Sequence, residues 1–466
     1  MKIKLINSII IFLFFWSTLF VNCNPAKAFT VNEEREYGEK LLTVVRLQFR
    51  LLEDPDISQY INNLGREILT VTGSQYFDYH FYVIKNRVFN AFAAPSGLIF
   101  IHSGLLLQMD NEGELFSVLA HECGHVNSRH IADRIEKSGK TTAATLAMII
   151  AGIAMGGGAL TQAMVTGGLA TGASMNLKFS RQDEEEADRL GYKWMVADNR
   201  DPAEMVAMLK KMYRIEKLRG SSPPPYLLTH PGPGTRMGYV EELIAQNPGS
   251  GYRVVDQFNF KRIKVRVHCL CENPMKLFNP YKKQLRSKTG EPEKIMAYYG
   301  LSQAYLANIE FASAKENLQK VIDFYPDKPI LRTDMGVIEF QQGNIDEALS
   351  HFKYVRRMEP GNWYNTFYLA MALQKKGNTK RALRLYDQLT GVIPDYPNLY
   401  YQIAEIVAGY NEKGEGHFYL GKYYFCLGDF KNAVFHINKA RETIPATSKM
   451  YQETDIILQK IQDVKS

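Results

Sequence analysis

Two histidines four residues apart enclose a glutamate in the run His121-Glu122-Cys123-Gly124-His125. On a helix, positions i and i+4 share a face. Their imidazoles can therefore meet on one zinc ion at about 2.0–2.1 Å. Glu122 would lean beside that ion, placed to take a proton from a water and hand it to a leaving amine. Two ligands, a base and open coordination suit hydrolysis of a peptide bond without a covalent intermediate. Ordinary surface histidines can show the same spacing, but Leu115, Val118 and Leu119 give this helix an apolar side and set the motif against a core.

A third ligand is required. A further histidine at position 131, with glycine at 128, would supply one in a known variant. Here Ser128 and Ile131 occupy those positions, and His130 falls one place early, off the metal face. The run Ser180-Arg181-Gln182-Asp183-Glu184-Glu185-Glu186-Ala187-Asp188 offers an alternative. Glu184 and Asp188 again share a helical face. Glu184 can ligate, while Asp188 accepts a hydrogen bond from a ligand imidazole and fixes its tautomer. An acidic helix start has the same composition for ordinary reasons, and the histidine pair is what favours the metal reading.

The elements that would position these residues can be read in outline. Phe81-Tyr82-Val83-Ile84 and Leu98-Ile99-Phe100-Ile101 are short strands, with Asn90 to Gly97 between them as a Pro/Gly-marked turn. Asp110 is the expected N-cap of one helix running past His130. The edge near Phe81–Ile84, with Asn90, Ala91 and Phe92 after it, could pair with an extended substrate; an ordinary sheet edge is the plain alternative. Residues 141–177 carry no charge and are rich in Ala, Gly, Met and Thr. Gly156-Gly157-Gly158 breaks the stretch into pieces short of the roughly 20 residues of a span. A greasy lid or membrane-touching loop fits better, a pair of buried core helices is the plain alternative, and a membrane-embedded protease using 141–177 as spans is the third reading.

The C-terminal part repeats. Pro326, Pro360 and Pro394 align with Ala314, Ala348 and Ala382, and with Leu318, Phe352 and Tyr386. Gly343 and Gly377 share a register. A fourth unit runs through Leu420-Gly421, Ala433 and Pro445, offset by an inserted helix around 398–408. This is the tetratricopeptide pattern, whose stacked helix pairs form a protein-binding groove.

The 466 residues exceed what one core can hold and imply two or three domains. Lys2 and Lys4, the apolar run Leu5–Val21 and Ala26-Lys27-Ala28 form a signal peptide cleaved after Ala28. A lipoprotein cysteine at Cys23 or a retained anchor are its alternatives. The net charge is +7. Basic residues cluster between Lys261 and Lys288, opposed by Glu272 alone, and read best as a solvated linker face. No finger or aromatic sheet motif accompanies them, so no nucleic acid is expected. Cys269 and Cys271 would share a strand face, and a bridge between them would be strained. The expected division is a signal peptide at 1–28, a metalloprotease domain at 29–255, a basic connector at 256–290 and a repeat domain at 291–466. The fold class is mostly α with a small β-sheet, followed by an α-solenoid.

His121 to His130, the Glu184–Asp188 spacing and Asn90 to Gly97 together resemble the gluzincin family of HtpX and the CAAX prenyl proteases. The signal peptide and repeats resemble its periplasmic BepA-like branch. The resemblance covers the mature chain. It implies His121, His125 and Glu184 as ligands of one Zn2+, Glu122 as catalytic base and Asp188 as the residue behind a ligand. It also implies a role in quality control and assembly of outer-membrane proteins. The partners would be unfolded or stalled clients and the barrel-assembly machinery, met through the repeats. The location would be the periplasm, with peripheral contact to the outer membrane. Ser96 stands where the family often has glycine. His230-Pro231 and Arg236 resemble a family segment near the zinc. His230 would be a fourth ligand holding the enzyme latent, a donor to the oxyanion, or a loop histidine capping a turn. A chaperone or adaptor with a silent metal site is the competing function.

Overall fold

The computed structural model describes residues 29–137, 178–219, 224–410 and 413–465. The signal peptide, Cys23 and the uncharged stretch 141–177 lie outside the described residues.

Helix α1 (Val31–Gln48) starts at a capping box in which Thr30 and Glu33 satisfy each other's backbone donors. Helix α2 (Pro55–Leu69) has Asp54 as N-cap and proline in its first turn. Then come β1 (His80–Ile84), β2 (Ala91–Ala94) and β3 (Leu98–His102). The sheet order is β1-β3-β2, with β1 parallel and β2 antiparallel to β3. Central β3 is buried at every position, as its unbroken apolar run requires. Ala91–Ala94 therefore belongs to a strand and not, as the sequence suggested, to the turn. The turn is confined to Pro95–Gly97, where Ser96 sits at φ 68°. That left-handed conformation explains why glycine would suit the position.

Helix α3 (Ser103–Gln108) leads to α4 (Glu112–Asn127), which carries the histidine pair. Its N-cap is Asn111, whose side chain accepts from the Glu114 N–H, and not Asp110. The helix does not run past His130. Arg129 takes φ 53° and breaks it before α5 (His130–Lys137). The reversal is held by Arg129, which donates to Glu34 and to the Phe29 carbonyl. Helix α6 (Arg181–Ala197) begins with a Ser180–Asp183 capping box. It is followed by α7 (Ala203–Arg219), the short α8 (Pro225–Thr229) and α9 (Pro233–Gln246).

The basic stretch is a solvated face only in part: Lys276, Lys282, Lys283, Arg286 and Lys288 are exposed, whereas Arg262 and Arg266 are not. The stretch forms α10 (Phe258–Cys271) and α11 (Pro274–Arg286). Arg262 and Arg266 are buried, bonded to Asp56 and Asp54 of α2 and its cap, and face Asp334 in the repeats. Buried cations require such partners. Cys269 and Cys271 lie on helix α10, not on a strand, and both are free thiols.

The repeats follow as helix pairs: α12 (Glu291–Ala307) with α13 (Phe311–Phe324), α14 (Ile330–Gln342) with α15 (Ile345–Met358), and α16 (Trp363–Lys375) with α17 (Thr379–Thr390). The inserted helix is α18 (Pro397–Gly409); α19 (Lys413–Cys426) and α20 (Phe430–Arg441) form the last pair, and α21 (Lys449–Lys465) closes the chain. Ala314, Ala348, Ala382 and Ala433 are fully buried where the paired helices cross. Gly343, Gly377 and Gly428 each take positive φ after a first helix. The array bends back on the first domain: Lys460 pairs with Glu39 of α1, and Gln59 of α2 bonds the backbone at Gly361 and Trp363.

Candidate metal centre

Helices α4 and α6 pack closely, crossing where Gly124 faces Ala187. This brings His121 and His125 opposite Glu184 and Asp188. Position 230, at the C-cap of α8, adds a third imidazole. One ligand atom from each of His121, His125, Glu184 and His230 lies within 4.8 Å of every other. All four are buried.

Hydrogen bonding orients the rings. The His121 Nδ1–H donates to the Asp188 carboxylate at 2.8 Å, which leaves Nε2 as the atom a neutral ring would offer to a metal. That Nε2 lies 3.0 Å from His125 Nε2, while His125 Nδ1 lies 2.9 Å from His130 Nδ1. Burial pulls the His125 imidazole well below its ordinary pKa, despite the opposing pull of Glu184. Neutral rings aimed at one point are what metal ligation demands. Burial alone would raise the Glu184 carboxyl, but the Arg236 guanidinium and His230 outweigh it and hold it well below the usual range. Asp188 behaves alike: burial is outweighed by Arg236 and His121. Arg236 Nε donates to Asp188 at 2.7 Å, and Tyr239 donates to the same carboxylate.

These residues fit a divalent cation. Glu122, Glu184 and Asp188 are all buried, and Arg236 is the buried cation set among them. With neutral imidazoles, two negative charges are left to balance. Among the described residues Glu122 Oε1 and His230 Nε2 make no hydrogen bond, although both are buried, and they face each other at 3.7 Å. Glu184 Oε2 is compensated by the Arg236 guanidinium, whose Nη1 lies 2.6 Å away. Three imidazoles and a carboxylate suit a transition metal.

Glu122 Oε2 accepts the Ala93 N–H at 2.9 Å, which aims Oε1 into the cluster. His230 Nδ1 lies 2.9 Å from Glu184 Oε1 and 3.3 Å from His121 Nε2. Its ring stacks on Tyr226, and that of His125 on Phe179. Sequence reasoning missed Ala93, Phe179, Tyr226, Tyr239 and the His125–His130 contact. Tyr239 was readable, three places after Arg236 on one helical face. A backbone donor such as Ala93 leaves no trace in residue type.

The β1 edge is not open to a substrate. The Asn62 carboxamide takes both the N–H and C=O of Phe81, and the Leu52 N–H donates to Val83. On β2, the Asn90 C=O accepts from His102 and the Phe92 ring stacks on Phe100. By the alternation of the ladder, the backbone groups of Ala91 and Ala93 face away from β3.

Residues 55–244 match the profile of Peptidase family M48. The chain carries an M48 peptidase domain. Two tetratricopeptide profiles match after it, at residues 296–328 and 339–406. The chain is 27% identical over 447 residues to the beta-barrel assembly-enhancing protease of Escherichia coli (strain K12), covering 94% of this chain and 89% of that one. The putative beta-barrel assembly-enhancing protease of Vibrio cholerae is 31% identical over 221 residues, 47% of this chain and 46% of that one. The mitochondrial metalloendopeptidase OMA1 of Schizosaccharomyces pombe is 27% identical over 212 residues, 45% of this chain and 57% of that one. The M48 domain makes the chain a metallopeptidase. No described helix is long and apolar enough to cross a membrane.

Proposed function

We propose that the chain is an exported zinc endopeptidase that hydrolyses misfolded or stalled outer-membrane proteins and aids their assembly. The observation that carries this reading is the convergence of the His121 and His125 Nε2 atoms, 3.0 Å apart, with Glu122 Oε1, which makes no hydrogen bond among the described residues, aimed at the same cluster. His121, His125 and Glu184 would hold the metal, one Zn2+ per chain. When bound, zinc supplies Lewis acidity that activates water and polarises the scissile carbonyl.

Glu122 works from a fixed position. Ala93 holds one oxygen, and the other receives the proton of the attacking water and passes it to the leaving amine. Asp188 and Arg236 orient His121 and Glu184 from behind. The outward backbone of Ala91 would pair with an extended substrate. His230 would serve as a fourth ligand at rest; its contacts with both His121 and Glu184 support a latent state that must open before substrate enters. The same contacts favour, as a second reading, a chaperone or adaptor whose metal site stays closed.

The division into a signal peptide at 1–28, a protease at 29–255, a connector at 256–290 and repeats at 291–466 belongs to this proposal. So do periplasmic location and recruitment to the barrel-assembly machinery through the repeats. The named activity of the Escherichia coli and Vibrio cholerae relatives supports it. Glu122→Gln tests the enzyme: cleavage of an unfolded substrate should vanish with zinc still near one per chain. Unchanged cleavage would sink the reading.

A further inference from the structure

Arg46, Tyr82 and Asp395 join the protease and repeat domains in one bonded group, in which both Arg46 and Tyr82 donate to Asp395. Beside it stands Glu53, which has no hydrogen-bond or ion-pair partner among the described residues. Glu53 is partly buried in the wall of a cleft of ≈ 80 Å³. Leu52, Phe81 and Val83 line one side; Trp363, Ile393 and Tyr396 line the other. The cleft shares no residue with the metal cluster.

A carboxylate in such a place is costly without a counter-charge. Burial pushes the Glu53 carboxyl up to about 8, with Arg46 and Arg50 opposing and Asp395 adding to the rise. Neither arginine bonds it: Arg46 is committed to Asp395, and Arg50 is exposed. The remaining lining is largely apolar and aromatic, suited to the methylene stem of a long cationic side chain and to its charged head over a ring. The volume admits one side chain, not a folded surface.

We propose that this cleft binds a single lysine or arginine side chain of an unfolded protein segment, with Glu53 as its counter-charge. The proposal rests on the reading that the protease acts on unfolded chains, and it adds a second contact point for them at the junction of the two domains. Such a contact would hold a client by the repeats while another part of it reaches the metal site. Linking two weak contacts raises affinity without strengthening either.

The test uses the full chain carrying Glu122→Gln, so that binding is read without turnover. The probes are a capped unstructured peptide with one lysine between phenylalanines and its norleucine counterpart, followed by fluorescence anisotropy. The lysine peptide should bind about tenfold tighter, a difference of about 1.4 kcal/mol. Adding Glu53→Gln should erase that preference. Val392→Arg, at an exposed rim position, should erase it too by supplying a cation from the chain itself. Equal affinity for the two peptides, no binding of the lysine peptide, or a preference that survives both variants would overturn the proposal. The protease reading is tested separately by cleavage and zinc content, so either can fail alone.

Discussion

A Cβ on Gly124 would lie 2.9 Å from the Cα of Ala187. The helix bearing the histidines and the helix bearing Glu184 therefore meet backbone to backbone. That approach sets the reach of Glu184 toward the two imidazoles, and a single methyl group would oppose it.

Gly124→Ala decides whether this closeness matters. In a free helix the change would stabilise by roughly 1 kcal/mol. Here overpacking against Ala187, at about 1–3 kcal/mol, should win. The expected result is a lower Tm, metal content below one per chain and cleavage reduced by about tenfold or more. A raised Tm with full metal content would show that the helices have room to spare.

Asp188→Asn addresses the support behind His121. Asp188 accepts from His121, Arg236 and Tyr239, and the substitution removes the charge while keeping the shape. Loss of such support typically weakens metal affinity by about 10–100-fold. Competition with a chromogenic chelator would measure it, and an unchanged affinity would assign Asp188 a purely structural part.

The clustering of these side chains was largely legible in the sequence, because residue types able to hold a metal recur there at helical spacing. His121, Glu122 and His125 share one helix, and Glu184 and Asp188 share another. Strands β1 and β3 were legible as apolar runs, and the repeats as aligned Ala, Gly and Pro. Strand β2 was not, since Ala-Phe-Ala-Ala beside Pro95 has the composition of a turn. The break at Arg129 carries no glycine or proline to mark it. The basic stretch misled for a different reason. Its carboxylate partners Asp54, Asp56 and Asp334 lie far away in sequence, so charge alone read as exposure.

Those partners yield a third prediction. Arg262 is buried against Asp56, and Arg266 against Asp54 and Asp334, which ties α2, α10 and the repeats together. Burial would raise the Asp56 carboxyl, but the two guanidiniums outweigh it and lower its pKa. Arg262→Met alone should cost about 3–5 kcal/mol, because Asp56 loses its main partner. Adding Asp56→Leu should recover most of the loss, since an apolar pair tolerates the same space. Urea unfolding would read both. If the double variant is no better than the single one, the network contributes packing more than charge compensation.

The two carboxylates of the interdomain cleft should respond to pH in opposite senses. Burial would raise Asp395, but Arg46 and Tyr82 prevail and lower it. Its stabilisation is present above the ordinary Asp pKa of about 3.9 and is lost as pH falls through the lower folded value. Glu53 is raised, to about 8. Its favourable contribution is complete below the unfolded pKa of about 4.3 and is lost as pH rises through about 8. The Tm of Glu53→Gln should therefore match wild type near about pH 5 and exceed it near about pH 9. Asp395→Asn should fall below wild type at neutral pH and approach it only in acid. A constant offset of Glu53→Gln across the whole range would mean that Glu53 finds a counter-charge in solution, and a cation-binding peptide partner would then have nothing to compensate.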